Sequence, residues 1–160
     1  MVGQRPLILA SASPRRRDLL RERGVSFEVI PAHAEETVES TPEATVMGNA
    51  RRKAIAIAEQ RPEALVLGVD TEVWFGGKIF GKPSDMDDAI RMLKELNGRA
   101  HEVYSGVCFV WNGGANDHAF VDVTRVTFIG EPMRNSGVTW CVLVHSTKQV
   151  PTPLRMIRAK

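Results

Sequence analysis

Two hydroxyls and three guanidinium groups crowd into seven residues, Ser11-Ala12-Ser13-Pro14-Arg15-Arg16-Arg17. They follow Leu7-Ile8-Leu9, which reads as a short buried strand. Ser13 is a favoured helix N-cap and Pro14 a favoured first helical residue, so the turn should open a helix. Such a corner aims unpaired backbone N–H groups and the positive end of a helix dipole at one point. Basic side chains are unfavourable near a helix N-terminus, so three arginines there call for a compensating anion. Guanidinium forks match phosphate oxygens, and a phosphate chain is the anion this corner suits best. The plainer reading is a capped helix with a solvated basic first turn.

Asp70 is the second centre of chemistry. It comes directly after Ala64-Leu65-Val66-Leu67-Gly68-Val69, a run apolar enough to be a strand buried on both faces. Ligands of open α/β sheets bind beyond the ends of such strands. A carboxylate there can hold a divalent cation or activate water; the plainer reading is an exposed Asp opening a turn. Glu35 and Glu36 lie in an acidic loop, and either can join Asp70 around Mg²⁺, since hard cations take carboxylate oxygens. Taken singly, each is as well explained by a solvated loop. Lys53 follows Arg51 and Arg52; one of the three should face the ligand edge and the others water. Gly76 to Pro83 has the outline of a phosphate-binding P-loop, yet Pro83 stands where the metal-binding hydroxyl should be and removes an N–H. We therefore reject a P-loop and keep Lys82 as a point charge near the ligand. The four histidines show no metal spacing. Cys108 and Cys141 form neither a CxxC nor a zinc pattern and read as reduced thiols, Cys108 in the core.

The elements that must position these groups are legible in outline. Strands are expected at 6–10, 25–30, 64–75, 78–80, 101–111 and 118–128. Helices are expected at 14–23, stopped by Gly24; from Pro42 to about Gln60, capped by Thr41; and from Ser84 or Asp85 to Leu96, stopped by Asn97-Gly98. Strands with interspersed helices imply an α/β fold with a mixed, twisted sheet. At 160 residues, 43% apolar and 25% charged, the chain can build one domain with a proper core. No apolar run approaches a membrane span and no signal-peptide pattern opens the chain, so a cytoplasmic protein is expected, with no membrane partner. Residues 1–129 carry net charge −2 and residues 130–160 net +4. The body has no basic stripe with interleaved aromatics, so no nucleic-acid partner is expected.

Read together, these blocks resemble the Maf family of nucleoside triphosphate pyrophosphatases. The resemblance rests on Leu9-Ala10-Ser11-Ala12-Ser13-Pro14-Arg15-Arg16, Phe27-Glu28-Val29-Ile30-Pro31, Ala50-Arg51-Arg52-Lys53-Ala54, Gly68-Val69-Asp70-Thr71, Gly81-Lys82-Pro83, Met92-Leu93, Gly98-Arg99 and His101 to Val107, in family order. It implies an inosine-triphosphatase-like fold and hydrolysis between the α and β phosphates of a nucleotide, giving a monophosphate and pyrophosphate. It implies a divalent metal, Mg²⁺ or Mn²⁺. By the same resemblance Asp70 is the general base and Glu35 the second carboxylate near the metal. Ser11, Ser13, Arg16, Lys53 and Lys82 are implied phosphate or substrate contacts. Arg15 and Thr71 resemble the subgroup acting on dTTP and UTP. A homodimer is left open.

The resemblance breaks near residue 129. Gly130-Glu131-Pro132-Met133 matches, but the family's Asp-Lys-Ala-Gly is replaced by Arg134-Asn135-Ser136-Gly137. The expected organisation is an incomplete Maf-like domain over 1–129 and a divergent basic tail over 130–160. Within that tail Val138 to Val144 reads as one strand and the rest as irregular or disordered. A skipped segment followed by a different reading frame would give this pattern, and an uninterrupted genomic frame through 128–160 would refute it. Arg52 departs from the family too, where Glu is common. Two functions stay in view: an active pyrophosphatase for dTTP and UTP, or a non-catalytic nucleotide-binding remnant.

Overall fold

A computed structural model describes residues 5–129, 139–146 and 155–158. In chain order the elements are β1 (Leu7–Leu9), α1 (Pro14–Glu22), β2 (Glu28–Val29), α2 (Pro42–Ala58), β3 (Leu65–Phe75), β4 (Lys78–Phe80), α3 (Met86–Leu96), β5 (Ala100–Trp111), β6 (Asn116–Ile129), β7 (Thr139–Ser146) and β8 (Arg155–Arg158). A 3₁₀ turn, Asn112–Gly114, joins β5 to β6. The chain forms two compact units. Met1–Thr71 and Ser105–Asp122 make one; Glu72–Tyr104 and Val123–Lys160 make the other. The family-based division at residue 129 follows sequence likeness and is a different partition.

In the first unit the strand order is β2-β1-β3-β5-β6. β1 runs parallel to both neighbours, with Ile8 opposite Glu28 and Val66. Its apolar composition follows from that central place: Ile8 and Leu9 are wholly buried. β2 is shorter than the expected 25–30. Only Glu28 and Val29 pair, because β1 offers three residues, and Ile30 ends the pairing by donating to the Leu9 carbonyl at 3.1 Å. α2 lays Val46, Ala50, Ala54 and Ile57 on one buried face, the expected i, i+4 stripe. Thr41 caps it by accepting from the Ala44 amide at 3.2 Å. The core gathers Ile8, Ala50, Ala54, Ile57, Val66 and Val110.

Cys108 sits in this core with no exposure. Burial, aided by the Asp117 charge, pushes its thiol up to about 11. Since the thiolate is the nucleophile, Cys108 is expected to react with Ellman's reagent at pH 8 only after urea unfolding in a Cys141→Ser background. Stoichiometric labelling of the native protein within minutes would refute this.

In the second unit β3 and β4 form a hairpin, Phe75 opposite Lys78. Gly76 and Gly77 take φ of +59° and +78°, the two left-handed residues of a type I′ turn. Asp85, of the two candidates, caps α3, accepting from the Asp88 amide at 2.8 Å. Gly98 follows that helix at φ +68°. His101 is buried, and burial holds its imidazole below the usual value. β6 pairs antiparallel with β7, and β7 with β8. β7 falls where Val138 to Val144 suggests a strand; β8 is a strand where the sequence reads as irregular, its four residues set by pairing with β7 and not by their own pattern. The remaining tail residues lie outside the described ones. No helix among the described residues is long and apolar enough to cross a membrane.

Candidate functional site

The site begins with two glycines. A Cβ on Gly68 of β3 would collide with the Ala50 carbonyl oxygen and lie 3.0 Å from the Ala54 nitrogen. A Cβ on Gly106 of β5 would collide with the Val46 carbonyl. The backbone of α2 therefore rests directly on two strands, which only residues without side chains allow. Close approach of that helix delivers Asn49 and Lys53, one turn apart and so on one side of it, to the middle of β3, where Asp70 lies; the strand runs on to Phe75, so this carboxylate is not at a strand end as the apolar run before it suggests.

Asp70 is the residue they meet. It is 4% exposed, and a buried carboxylate needs partners. Lys53 Nζ lies 2.7 Å from Asp70 Oδ1, and Asn49 Nδ2 donates to Asp70 Oδ2 at 3.2 Å. The same ammonium lies 2.6 Å from Glu36 Oε1. One cation thus bridges two carboxylates, one buried and one half-exposed. Of the basic run, Lys53 is the residue that turns inward. Arg51 pairs with Asp117 at 3.0 Å, and Arg52 with Glu39 at 2.9 Å.

Arg16 closes the other side. One guanidinium nitrogen donates to Ser11 Oγ at 2.8 Å and to the Val69 carbonyl at 3.0 Å. The other donates to Thr71 Oγ1 at 3.1 Å, and Thr71 Oγ1 lies 3.5 Å from Ser105 Oγ. Burial lowers the affinity of this guanidinium for its proton, and the charges of Asp70 and Glu36 oppose that shift.

The structure brings Ser11, Arg16, Lys53, Asp70 and Thr71 into one corner. Ser13 occupies the N-cap position, but its side chain makes no capping bond; its N–H donates to Ser11 Oγ at 3.3 Å. Ser11 therefore organises the turn that Ser13 is expected to cap. Arg15 is exposed on the first turn of α1. Glu35 is exposed, and its neighbour Glu36 is the carboxylate that reaches Lys53. Lys82 lies in the other unit, exposed between β4 and α3. Sequence reading passes over Asn49, Thr37 and Ser105. For Asn49 a signal exists: asparagine is a poor residue for a helix interior, and it stands four residues before Lys53.

Asp70 and Glu36 offer oxygen donors alone, the chemistry that Mg²⁺ and Mn²⁺ take. No group of three or more metal-binding side chains occurs among the described residues. A cation held by one or two carboxylates and completed by substrate phosphates needs no larger set. The residues present fit that mode.

Residues 6–142 match the family model described as Maf-like protein. The dTTP/UTP pyrophosphatase of Bacillus anthracis is 45% identical over 128 residues, covering 78% of this chain and 65% of that protein. The dTTP/UTP pyrophosphatase of Bacillus cereus strain B4264 is 44% identical over 126 residues with the same coverage. The chain spans about 65% of the length of these curated relatives.

Proposed function

Because the chain belongs to the Maf family, we propose that it is a cytoplasmic nucleoside triphosphate pyrophosphatase that splits dTTP and UTP between the α and β phosphates. The observation that carries this reading is the buried Asp70 carboxylate in the middle of β3, held at 2.7 Å by Lys53, with Arg16 of α1 donating to the carbonyl of the preceding residue, Val69. In this mechanism Asp70 orients the attacking water and takes its proton. Arg16, Ser11, Ser13 and the N–H groups opening α1 bind phosphate oxygens and stabilise the charge that develops on them. Lys53 shields that charge from the carboxylates. Arg15 and Thr71 contribute to the choice of dTTP and UTP. Asp70 and a carboxylate of the Glu35–Glu36 pair would hold a divalent cation, Mg²⁺ or Mn²⁺, which supplies charge neutralisation to the triphosphate.

The test is ³¹P NMR of dTTP, UTP, CTP and 7-methyl-GTP, each incubated with the purified chain and Mg²⁺ or Mn²⁺. Pyrophosphate and monophosphate from dTTP and UTP are expected. Inorganic phosphate and a diphosphate would overturn the bond assignment. The departure from the family's pattern at Arg134-Asn135-Ser136-Gly137 favours one other reading, a non-catalytic nucleotide-binding remnant. Binding of dTTP by folded protein without turnover would establish it.

A further inference from the structure

The amide of Asn49 is 2% exposed, and all four of its hydrogen-bonding positions are taken. Its oxygen accepts from the Thr37 backbone N–H at 2.9 Å and from an Arg52 guanidinium nitrogen at 3.0 Å. Its nitrogen donates to the Thr37 carbonyl at 3.0 Å and to Asp70 Oδ2 at 3.2 Å. The partners admit one orientation. Two donors stand on the oxygen side and two acceptors on the nitrogen side, so a flipped amide would lose the pairing on both. Arg52 is itself fixed, since its other nitrogen donates to Glu39 Oε1 at 2.9 Å. Glu39 also accepts from the Thr37 hydroxyl at 2.9 Å, and these two donors hold its carboxyl below the usual carboxylate range. The chain from Glu36 to Glu39 is thereby tied to α2 through side chains of α2.

We infer that Asn49 is a positioning residue for the proposed reaction: its fixed amide sets the rotation of the Asp70 carboxylate and registers the Glu36–Glu39 segment against it. Lys53 holds one carboxylate oxygen, and a single contact leaves a carboxylate free to turn about its Cβ–Cγ bond. A second donor on Oδ2 removes that freedom. Arg52 supports the arrangement from behind by giving the amide oxygen a charged donor. This inference rests on the role proposed above for Asp70.

The split between kcat and KM separates positioning from mere loop tethering. Asn49→Asp keeps both acceptor contacts, to the Thr37 N–H and to Arg52, but replaces the donor that faces both Asp70 and the Thr37 carbonyl with an acceptor. Its kcat for dTTP is expected to fall roughly 10- to 100-fold, with KM within about twofold of wild type, because Asn49 acts through Asp70. Wild-type kcat in Asn49→Asp, or a loss confined to KM, would overturn the inference. Should Asn49→Asp fail to fold, Arg52→Gln serves, its side chain being 41% exposed. A kcat loss of about threefold or more at constant KM is expected of it, and an unchanged kcat would overturn the inference.

A readout independent of turnover keeps this distinct from the proposed reaction. The Asn49 side-chain Nδ2 protons are followed by NMR in wild type and in Asp70→Ala. A shifted and faster-exchanging Nδ2 proton in Asp70→Ala is expected even in a chain without turnover. Unchanged resonances would refute the contact.

Discussion

Asp70→Asn is expected to lower pyrophosphate release from dTTP by about 10³-fold, the scale of a lost general base. The substitution changes one atom type and almost no volume. Its amide oxygen still accepts from Lys53, and Lys53 keeps its 2.6 Å partner Glu36. Arg16 holds its three contacts to Ser11, Val69 and Thr71, none of which involves the carboxylate. What disappears is the carboxylate proposed to take a proton from water and to help hold a divalent cation, together with the acceptor that Asn49 Nδ2 donates to. Steady-state release of pyrophosphate by wild type and variant, with thermal unfolding run on both, separates lost chemistry from lost fold. A well-folded variant retaining a tenth or more of wild-type turnover would remove Asp70 from the role of base.

Gly68→Ala should destabilise the protein by about 3 kcal/mol, at the upper end for overpacking. The added methyl meets backbone, the Ala50 carbonyl, and not the end of a side chain that can swing away. Relief requires α2 to lift off β3 along its length, and that loosens Ala54 and Ile57 as well. The urea midpoint is expected to drop by about 1 to 2 M. Gly81→Ala is the matched control, since nothing lies within 4 Å of a Cβ there. Equal midpoints for the two variants would show that the helix is not resting on the strand. Any folded Gly68→Ala protein should also turn over slowly, because lifting α2 carries Asn49 and Lys53 away from Asp70.

Much of this was legible in the residues. Thr41-Pro42 marks the start of α2, the Val46-Ala50-Ala54-Ile57 stripe gives its buried face, and Gly76-Gly77 marks the hairpin. Asp70 stands out because a charge directly follows an apolar run. Three things were not legible, each for a physical reason. Which of Glu35 and Glu36 reaches Lys53 depends on which way a loop turns, and adjacent residues in a loop carry no periodicity to decide it. Ser11 outranks Ser13 because Arg16 folds back across the turn, a tertiary contact that local capping preference does not contain. Asn49 is polar in an otherwise alanine-rich face, and its role depends on Thr37 and Arg52 arriving from two directions.

The contacts of Arg16 have a further consequence. Its three acceptors are a hydroxyl, a peptide carbonyl and another hydroxyl, all neutral. Its aim is therefore set by dipoles, which dissolved salt barely weakens, while its attraction for an anion is Coulombic and fades as ionic strength rises. Orientation and pull are carried by different forces in one side chain. For the proposed reaction, raising the salt should loosen the grip on triphosphate without disturbing the hand that offers it, so KM should climb with ionic strength while kcat holds.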